Sequence, residues 1–422
     1  MSNIIHEVVE IVEKDGILSF LQRATNYIVP LIYFLISHRI VNDLDDAVLI
    51  VLRRSNIDSD TVALLTELAR REESYPIYLV CTDVAQCNRM NGTILSKIRG
   101  LDQEIHVISR NTMEFARALR SSRIVFLKGR NYIERYRWFD RNENRSYVHC
   151  DHGIVTKAVG AYTRTKSTIS RPSVPDFFPS LFRDIDVDSV ESDVEKHSKA
   201  SAYRLNPNRF ATYGYPRFDR IRRLRDGTAE PILPPDVKAD LSDDDVFRIL
   251  FAPTTHDNVE AFPFMSGDKE ELWQFLEEND IELYIRMHLY QEEGGFYDEI
   301  IDGETVKYAG HHASPASIEL LPYFDMLLTD YSSIYMEFLP FDRPIAFIDS
   351  YHEQFVQSNG LMFDYDRYFP GKKVSELDEF CSYVLSCRDG DDGFSQERQF
   401  VRKVFFPPRE QSFLQATYLD GN

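Results

Sequence analysis

Basic residues are scarce in this chain of 422 residues. Lys and Arg number 48 against 68 Asp and Glu, which gives a formal net charge of −20. A protein that binds nucleic acid non-specifically needs a positive surface to displace the counterions of the phosphates, so we expect no nucleic-acid partner. Cysteine is scarce too. The five cysteines form no CxxC pair, which predicts a reducing compartment and no zinc site.

Long hydrophobic runs are also missing. The longest, residues 27–36, is interrupted by Pro30, and a membrane-spanning helix needs about 20 apolar residues. This run predicts a buried helix, with a helix lying on the membrane surface as the alternative. Acidic residues at positions 7, 10, 13 and 15 argue against a signal peptide. The sequence therefore predicts a cytoplasmic protein, with the inner face of the membrane as a site of contact.

What the chain has is material for packed cores, with 43% hydrophobic and 13% aromatic residues, which argues against disorder. Short apolar runs alternate with helical patterns from residue 46 onward, as in 47–52, 76–81, 104–109 and 123–127. Such alternation is typical of α/β proteins with parallel sheets. It restarts at residue 247, after a segment rich in Pro and Asp. We therefore predict domains at 1–228 and 247–422, a linker at 229–246, and a last helix able to cross back to the first domain.

The segment 325–348 is the strongest candidate for binding a phosphate. An apolar strand leads into Asp330, Tyr331, Ser332 and Ser333, and then into a helical pattern. Serine hydroxyls at a helix start can donate to an anion, although they more often cap the helix. Upstream, Arg286 and His288 lie on one side of a strand end, where they suit a pyrophosphate or are simply a surface Arg and a half-buried His.

In the first half of the chain, a strand ends in a loop with His152, Gly153 and Lys157. An imidazole there could act as a base near neutral pH. A basic run contains Arg217, Arg220 and Arg223. It predicts either a solvated helix face or a surface that attracts a phosphate-bearing acceptor. Adjacent histidines at 311 and 312 are poor chelates, so we predict no metal site.

In their order along the chain, these segments resemble one family, the CDP-glycerol:poly(glycerophosphate) glycerophosphotransferases of teichoic-acid and capsule synthesis. The resemblance runs from about residue 117 to 371. It rests on SRIVFLKG, HGIVTK, YGYPRFD, ILFAPTTHD, YIRMH, DMLLTDYSSIYMEF and FDYDRYFPG. The chain departs from the family pattern at Asp151, at Leu289, at Thr255-His256 and, more mildly, at Glu337.

The resemblance implies a GT-B fold, with two Rossmann-like domains facing a central cleft. It implies transfer of a polyol phosphate, most simply glycerol phosphate, from a CDP-linked donor to a hydroxyl on a lipid-linked or glycan acceptor, with release of CMP. His152 and His288 would then be catalytic. Arg286, Ser332, Ser333 and Lys157 would bind the donor phosphates. Thr254, Asp330 and Glu337 would hold the nucleotide or the turn, and Arg217, Arg220 and Arg223 would lie on the acceptor side.

No cofactor is required by this chemistry, and no pattern indicates a divalent metal. Two other interpretations stay open at this point. One is a GT-B glycosyltransferase that uses a nucleotide sugar, and the other is a non-catalytic scaffold of the same fold that binds polymer. The donor polyol, the distinction between primase and polymerase, and the oligomeric state lie beyond what the residues predict.

Overall fold

The computed structural model describes residues 28–30, 32–34, 45–53, 55–71, 76–99, 104–110, 112–128, 144–150, 153–162, 187–242, 246–254, 269–287, 300–311 and 313–419. These residues form two parallel β-sheets with helices between the strands. The α/β class predicted from the alternating pattern is confirmed. Below, the described residues up to 225 are called the first half and residues 247–405 the second half.

The first sheet has seven strands in the order β3-β2-β1-β4-β5-β6-β7. The strands are β1 (Asp45–Val51), β2 (Ile77–Cys81), β3 (Ile105–Ser109), β4 (Ser122–Leu127), β5 (Ser146–His149), β6 (Val187–Ser189) and β7 (Phe210–Ala211). The helices of this half are α1 (Ser59–Leu68), α2 (Val84–Arg99), α3 (Met113–Ser121), α4 (Asp193–Tyr203) and α5 (Pro216–Arg225).

Strand β1 shows why the central strands are continuously apolar. Val48 and Ile50 belong to one hydrophobic cluster, whereas Leu49 and Val51 belong to another. Successive side chains of a strand point to opposite faces, so both faces of this sheet are buried. A parallel sheet covered by helices on both faces produces unbroken runs of Val, Ile and Leu.

The second sheet has six strands in the order β10-β9-β8-β11-β12-β13. The strands are β8 (Phe247–Phe251), β9 (Ile281–Ile285), β10 (Val306–Tyr308), β11 (Met326–Thr329), β12 (Ile345–Ile348) and β13 (Lys372–Val374). The helices from the linker onward are α6 (Pro235–Asp240), α7 (Lys269–Glu278), α8 (Ile334–Phe338), α9 (His352–Ser358), α10 (Tyr365–Tyr368), α11 (Leu377–Arg388), α12 (Ser395–Phe405) and α13 (Phe413–Leu419).

Both sheets share one doubly wound plan. The chain builds three strands to one side, returns to the centre, and then builds to the other side. The final helix lies against the first half, where the Phe413 ring is 5.8 Å from that of Phe126 and the Phe413 amide donates to Asp219 at 2.6 Å. None of the helices that the structure describes has the length and hydropathy needed to cross a bilayer.

Candidate functional site

The site forms where the carboxyl ends of the central strands of the two sheets meet. In a doubly wound sheet, ligands bind outside the strand ends at the point where the strand order reverses. That point lies between β1 and β4 in the first sheet and between β8 and β11 in the second. The predicted residues Thr254, Arg286 and Asp330 follow β8, β9 and β11, which are adjacent strands.

Asp330 organises the second of these strand ends. Its carboxylate is fully buried and accepts hydrogen bonds from the backbone amides of Thr254, at 2.8 and 2.9 Å, and of Ser332, at 2.9 Å. The hydroxyl of Tyr351 donates to the same carboxylate at 2.5 Å. One carboxylate thus holds the turns after β8 and β11 together, and its oxygens are occupied by protein donors.

Thr254 and Ser333 place two hydroxyls on the turns that Asp330 holds. Thr254 is 6% exposed, and its Oγ1 has no hydrogen bond in the described part of the chain. Ser333 is the N-cap residue of α8, but its side chain makes no capping hydrogen bond. Capping is therefore not what occupies the Ser333 hydroxyl, and the Thr254 hydroxyl is buried without the partner that such a group normally has.

Arg286 is half-buried at the end of β9. Its guanidinium donates to the carbonyls of Ala309 at 2.9 Å, Gly310 at 3.2 Å and Ser314 at 2.9 Å. These three carbonyl oxygens fix the orientation of the guanidinium at the strand end. His288, predicted two residues further on, lies outside the described residues, as does His152 in the first half.

Residues 156–158 bring the loop of the first half into contact with the second, where Lys157 forms a β-bridge with Leu361. The amide of Ala158 donates to Gly360 O at 3.0 Å, and the amide of Met362 donates to Thr156 O at 2.9 Å. Burial lowers the pKa of Lys157, and the nearby charge of Asp330 partly opposes that effect. The structure therefore brings Lys157 to the same place as the turn of Ser332.

A buried ionic network lies at the switch point of the first sheet. Asp60, at the start of α1, accepts from Lys128 Nζ at 2.6 Å and from Arg217 Nη2 at 2.7 Å. The other terminal nitrogen of Arg217 donates to Glu337 of the second half, and the Ser317 hydroxyl donates to Glu337 at 3.0 Å. Arg217 thus binds a carboxylate of each half.

The charges of this network support one another. Burial opposes ionisation of Asp60, but Arg217 and Lys128 outweigh it and hold the pKa of the carboxyl below its ordinary value. Burial also disfavours the Arg217 cation, and Asp60 and Glu337 more than compensate, so that its pKa lies well above the ordinary value. Both side chains are therefore charged at neutral pH.

The other predicted acceptor-side arginines also have carboxylate partners. Arg220 is 5% exposed and pairs with Glu319 of the second half through nitrogen–oxygen contacts of 2.9 and 2.8 Å. Arg223 pairs with Glu67 of α1. A phosphate-bearing acceptor would have to compete with these carboxylates for the guanidinium groups.

Sequence reasoning missed Asp60 and Tyr351, which contact the predicted residues Arg217 and Asp330. It also missed Lys128, which binds Asp60. No local pattern marks them. Asp60 reads as an ordinary acidic residue in the first turn of a helix, and Lys128 as a surface residue at a strand end. Asp60 and Tyr351 are separated in sequence from Arg217 and Asp330 by 157 and 21 residues, and Lys128 is separated from Asp60 by 68 residues. No group of three His, Cys, Asp or Glu side chains in the described ranges is arranged to hold a metal ion.

The comparisons with known proteins point in one direction. The family model described as CDP-glycerol:poly(glycerophosphate) glycerophosphotransferase matches residues 31–412. The teichoic acid ribitol-phosphate polymerase TarK of Staphylococcus aureus is 24% identical over 155 residues, which cover 34% of this chain and 27% of that protein. The teichoic acid glycerol-phosphate primase of Bacillus subtilis is 26% identical over 141 residues, 32% of this chain and 34% of that protein.

Among solved structures, the wall teichoic acid polymerase TagF, in a variant soaked with CDPG, superposes with a TM-score of 0.71. The match covers 100% of this chain and 97% of that one at 15% identity. This likeness confirms the predicted GT-B fold. The segments shared with the two curated relatives span about a third or less of the length of those proteins.

Proposed function

Given that this chain belongs to the CDP-glycerol:poly(glycerophosphate) glycerophosphotransferase family, we propose that it transfers a polyol phosphate from a CDP-linked polyol to an acceptor hydroxyl. The attacking oxygen forms a bond to the phosphorus that carries the polyol. The bond from that phosphorus to the bridging oxygen breaks, and CMP leaves with this oxygen. Glycerol is the simplest polyol for this proposal. Ribitol is the alternative, because relatives named for each polyol resemble the chain.

The observation that carries this proposal is the set of hydroxyls at the switch point of the second sheet. Thr254 Oγ1 is buried beside Asp330 without a partner, and Ser333 leaves its helix uncapped. A pyrophosphate that enters between β8 and β11 would supply the missing acceptors. Arg286 and Lys157 would add positive charge from two sides, which stabilises the charge that develops as CMP leaves.

The reaction also needs groups that move protons. A hydroxyl is a poor nucleophile at neutral pH, so we assign His152 as the general base that takes its proton. We assign His288 to the leaving phosphate, together with Arg286, Ser332 and Ser333. His152 directly precedes Gly153, whose φ of +93° suits a tight turn. This proposal does not use Arg217, Arg220 or Arg223, since carboxylates occupy their guanidinium groups.

We assign the two substrates to different parts of the chain. Residues 247–422 would bind the CDP donor, residues 1–228 would present the acceptor, and 229–246 would link them. The last helix would be an exception to this division, because its Phe413 packs on Phe126 of the first half.

We further propose that the acceptor is a lipid-linked or glycan polymer of the cell envelope, in teichoic-acid or capsule synthesis. The protein would act in the cytoplasm, on the inner face of the membrane. Ile28, Val29 and Ile32 support contact with lipid, since their side chains are 50%, 45% and 47% exposed. Exposed apolar side chains on one short segment are typical of a surface that inserts into an interface.

A donor panel tests the proposal. Purified protein is incubated with CDP-glycerol, CDP-ribitol, and UDP- or GDP-sugars in the presence of a lipid-linked acceptor, and the released nucleotide is measured. CMP release from a CDP-polyol supports the proposal. UDP or GDP release without CMP would favour a glycosyltransferase instead, and CDP binding without turnover would favour a scaffold.

The catalytic assignments are tested with His152→Ala and His288→Ala. Each variant is expected to lose about 100-fold or more in kcat, the usual contribution of a general acid or base. His197→Ala is the matched control, because this exposed histidine bonds to the Asp193 carbonyl of its own helix. Normal turnover in both His152→Ala and His288→Ala would overturn the assignment.

A further inference from the structure

Two buried arginines of α5, Arg217 and Arg220, contact the second half of the protein. Arg217 reaches Glu337, Arg220 reaches Glu319, and Arg225 lies 3.5 Å from Pro340 O. Arg217 and Arg220 are each 5% exposed. Carboxylates of the second half therefore account for the burial of Arg217 and Arg220, whereas Arg222 and Arg223 pair with carboxylates of the first half.

Arg217 differs from Arg220 in what it touches. Arg220 lies next to the linker, where its Nη2 donates to Glu230 O and where Glu319 also accepts from the amide of Ile232. Arg217 lies at the cleft. A Cβ added to Gly153 would come within 3.1 Å of Arg217 Nη1, so the guanidinium packs directly against the loop that follows His152.

The partner of Arg217 belongs to the donor side. Glu337 lies on α8, four residues after Ser333 and in the first turn of that helix. Its second oxygen accepts from Ser317, whose hydroxyl lies 3.2 Å from that of Ser59 in the first half. Two independent polar contacts thus cross between the halves at this point.

We propose that Arg217 is a positioning residue: it clasps Asp60 to Glu337 and thereby sets the loop of His152 against the helix that follows Ser332 and Ser333. The proposal rests on the function proposed above, since the two segments would carry the base and the donor phosphates. Arg217 itself touches neither substrate. Its planar fork suits this role, because it donates to carboxylates on both sides at once, which the single ammonium of lysine cannot do in the same geometry.

Two backbone hydrogen bonds between the halves report whether the Asp60–Arg217–Glu337 contact, here called the clasp, is intact. The amides of Ala158 and Met362 donate across the halves, to Gly360 O and Thr156 O. Hydrogen exchange at these amides measures local opening of the cleft. The amide of Leu327, inside β11 and bonded to Pro344 O, measures global unfolding in the same experiment.

The test compares Arg217→Lys and Glu337→Gln with a matched control, Arg398→Lys. Arg398 is also buried, at 1% exposed, and also binds two carboxylates, Asp342 and Asp392, but all three residues belong to the second half. We expect faster exchange at Ala158 and Met362 in the two clasp variants only, with Leu327 still protected.

The kinetic readout separates positioning from donor binding. In the clasp variants kcat should fall about 10- to 100-fold, as expected for misplaced reacting groups. The Kd for CDP, measured by calorimetry, should change by less than about threefold, because Arg286, Ser332 and Ser333 belong to the second half and only Lys157 comes from the first.

Three results would overturn the proposal. Unchanged exchange at Ala158 and Met362 in either clasp variant would show that no clasp exists. A general loss of protection that includes Leu327 would show a purely structural role. An equal fold-loss in CDP affinity and kcat would place these side chains at the donor. If the wild-type protein releases no CMP from any CDP-polyol, the proposed function fails, while the exchange experiment still decides whether Arg217 holds the halves together.

Discussion

Replacing Asp330 is the sharpest test of how the donor side is built. Its carboxylate accepts from three donors: the amides of Thr254 and Ser332 and the hydroxyl of Tyr351. Asp330→Ala leaves all three without their acceptor. Thr254 is 6% and Tyr351 5% exposed, so water cannot readily replace the lost oxygen at either.

The expected loss in the free energy of unfolding follows from these three hydrogen bonds. A buried donor left without a partner costs about 1–3 kcal/mol, and the half-buried Ser332 amide belongs at the low end of this range, so Asp330→Ala should lower the free energy of unfolding by about 3–7 kcal/mol. Asp330→Asn keeps one acceptor oxygen and nearly the same shape. It exchanges charge-assisted bonds for neutral ones, and should cost only about 1–3 kcal/mol.

Two measurements check this reasoning. Urea unfolding gives the free energies, and calorimetry gives the Kd for CDP. Tyr351→Phe is the control, since it removes one donor and leaves the backbone contacts in place; a loss of about 1 kcal/mol is expected. If Asp330→Ala unfolds within about 1 kcal/mol of the wild type, a value no larger than one ordinary hydrogen bond, the carboxylate does not hold the two turns together.

Three further predictions concern single positions. Gly153→Ala should reduce turnover, because its φ of +93° disfavours any Cβ and the added methyl would press on Arg217; normal turnover would contradict this. Gly371→Ala should lower the thermal midpoint, since the added Cβ would lie 2.1 Å from Ile345 O. Gly390→Ala is the control: no atom would lie near its Cβ, so it should lower the midpoint only through the backbone strain of a positive φ. Burial lowers the pKa of Lys373 from 10.5 to about 8. Between these pH values the unfolded chain binds more protons than the folded one, so the free energy of unfolding should rise as the pH increases from 8 to 10.5. Comparing the pH dependence of the midpoint with that of Lys373→Met isolates this contribution, and identical slopes would refute it.

Most of the regular structure follows from local pattern. The apolar runs 47–52 and 326–329 correspond to β1 and β11, and the helical spacing of 84–99 corresponds to α2. Such strands are buried on both faces, so their composition alone marks them. Strands β6, β7 and β13 were not predicted. They have only three, two and three residues, too few for any periodicity to show.

The residues of the candidate site likewise include some that the sequence predicted and others that it did not. Thr254 was predicted from the family resemblance, and Arg286 and Asp330 from their positions after apolar strands. The carboxyl ends of parallel strands meet at one edge of a sheet, which is why the three residues lie at the same edge. Asp60 and Lys128 were not predicted, because an acidic residue in a first helical turn and a lysine after a strand are common on surfaces. Only the docking of α1 and α5 on the first sheet turns them into a buried network.

The few basic residues of this acidic chain show what the sequence determines and what only tertiary packing determines. By itself the sequence determined an acidic α/β protein, a family, and strand ends rich in polar groups, since these depend on composition and on order along the chain. Whether a given arginine faces solvent, substrate or a carboxylate depends on which surfaces meet. Arg217 and Arg220 looked like a surface for an anionic acceptor, yet tertiary packing joins them to Glu337 and Glu319. The energy of an ion pair depends on the distance in space between its two charges, and their separation along the sequence does not determine that distance.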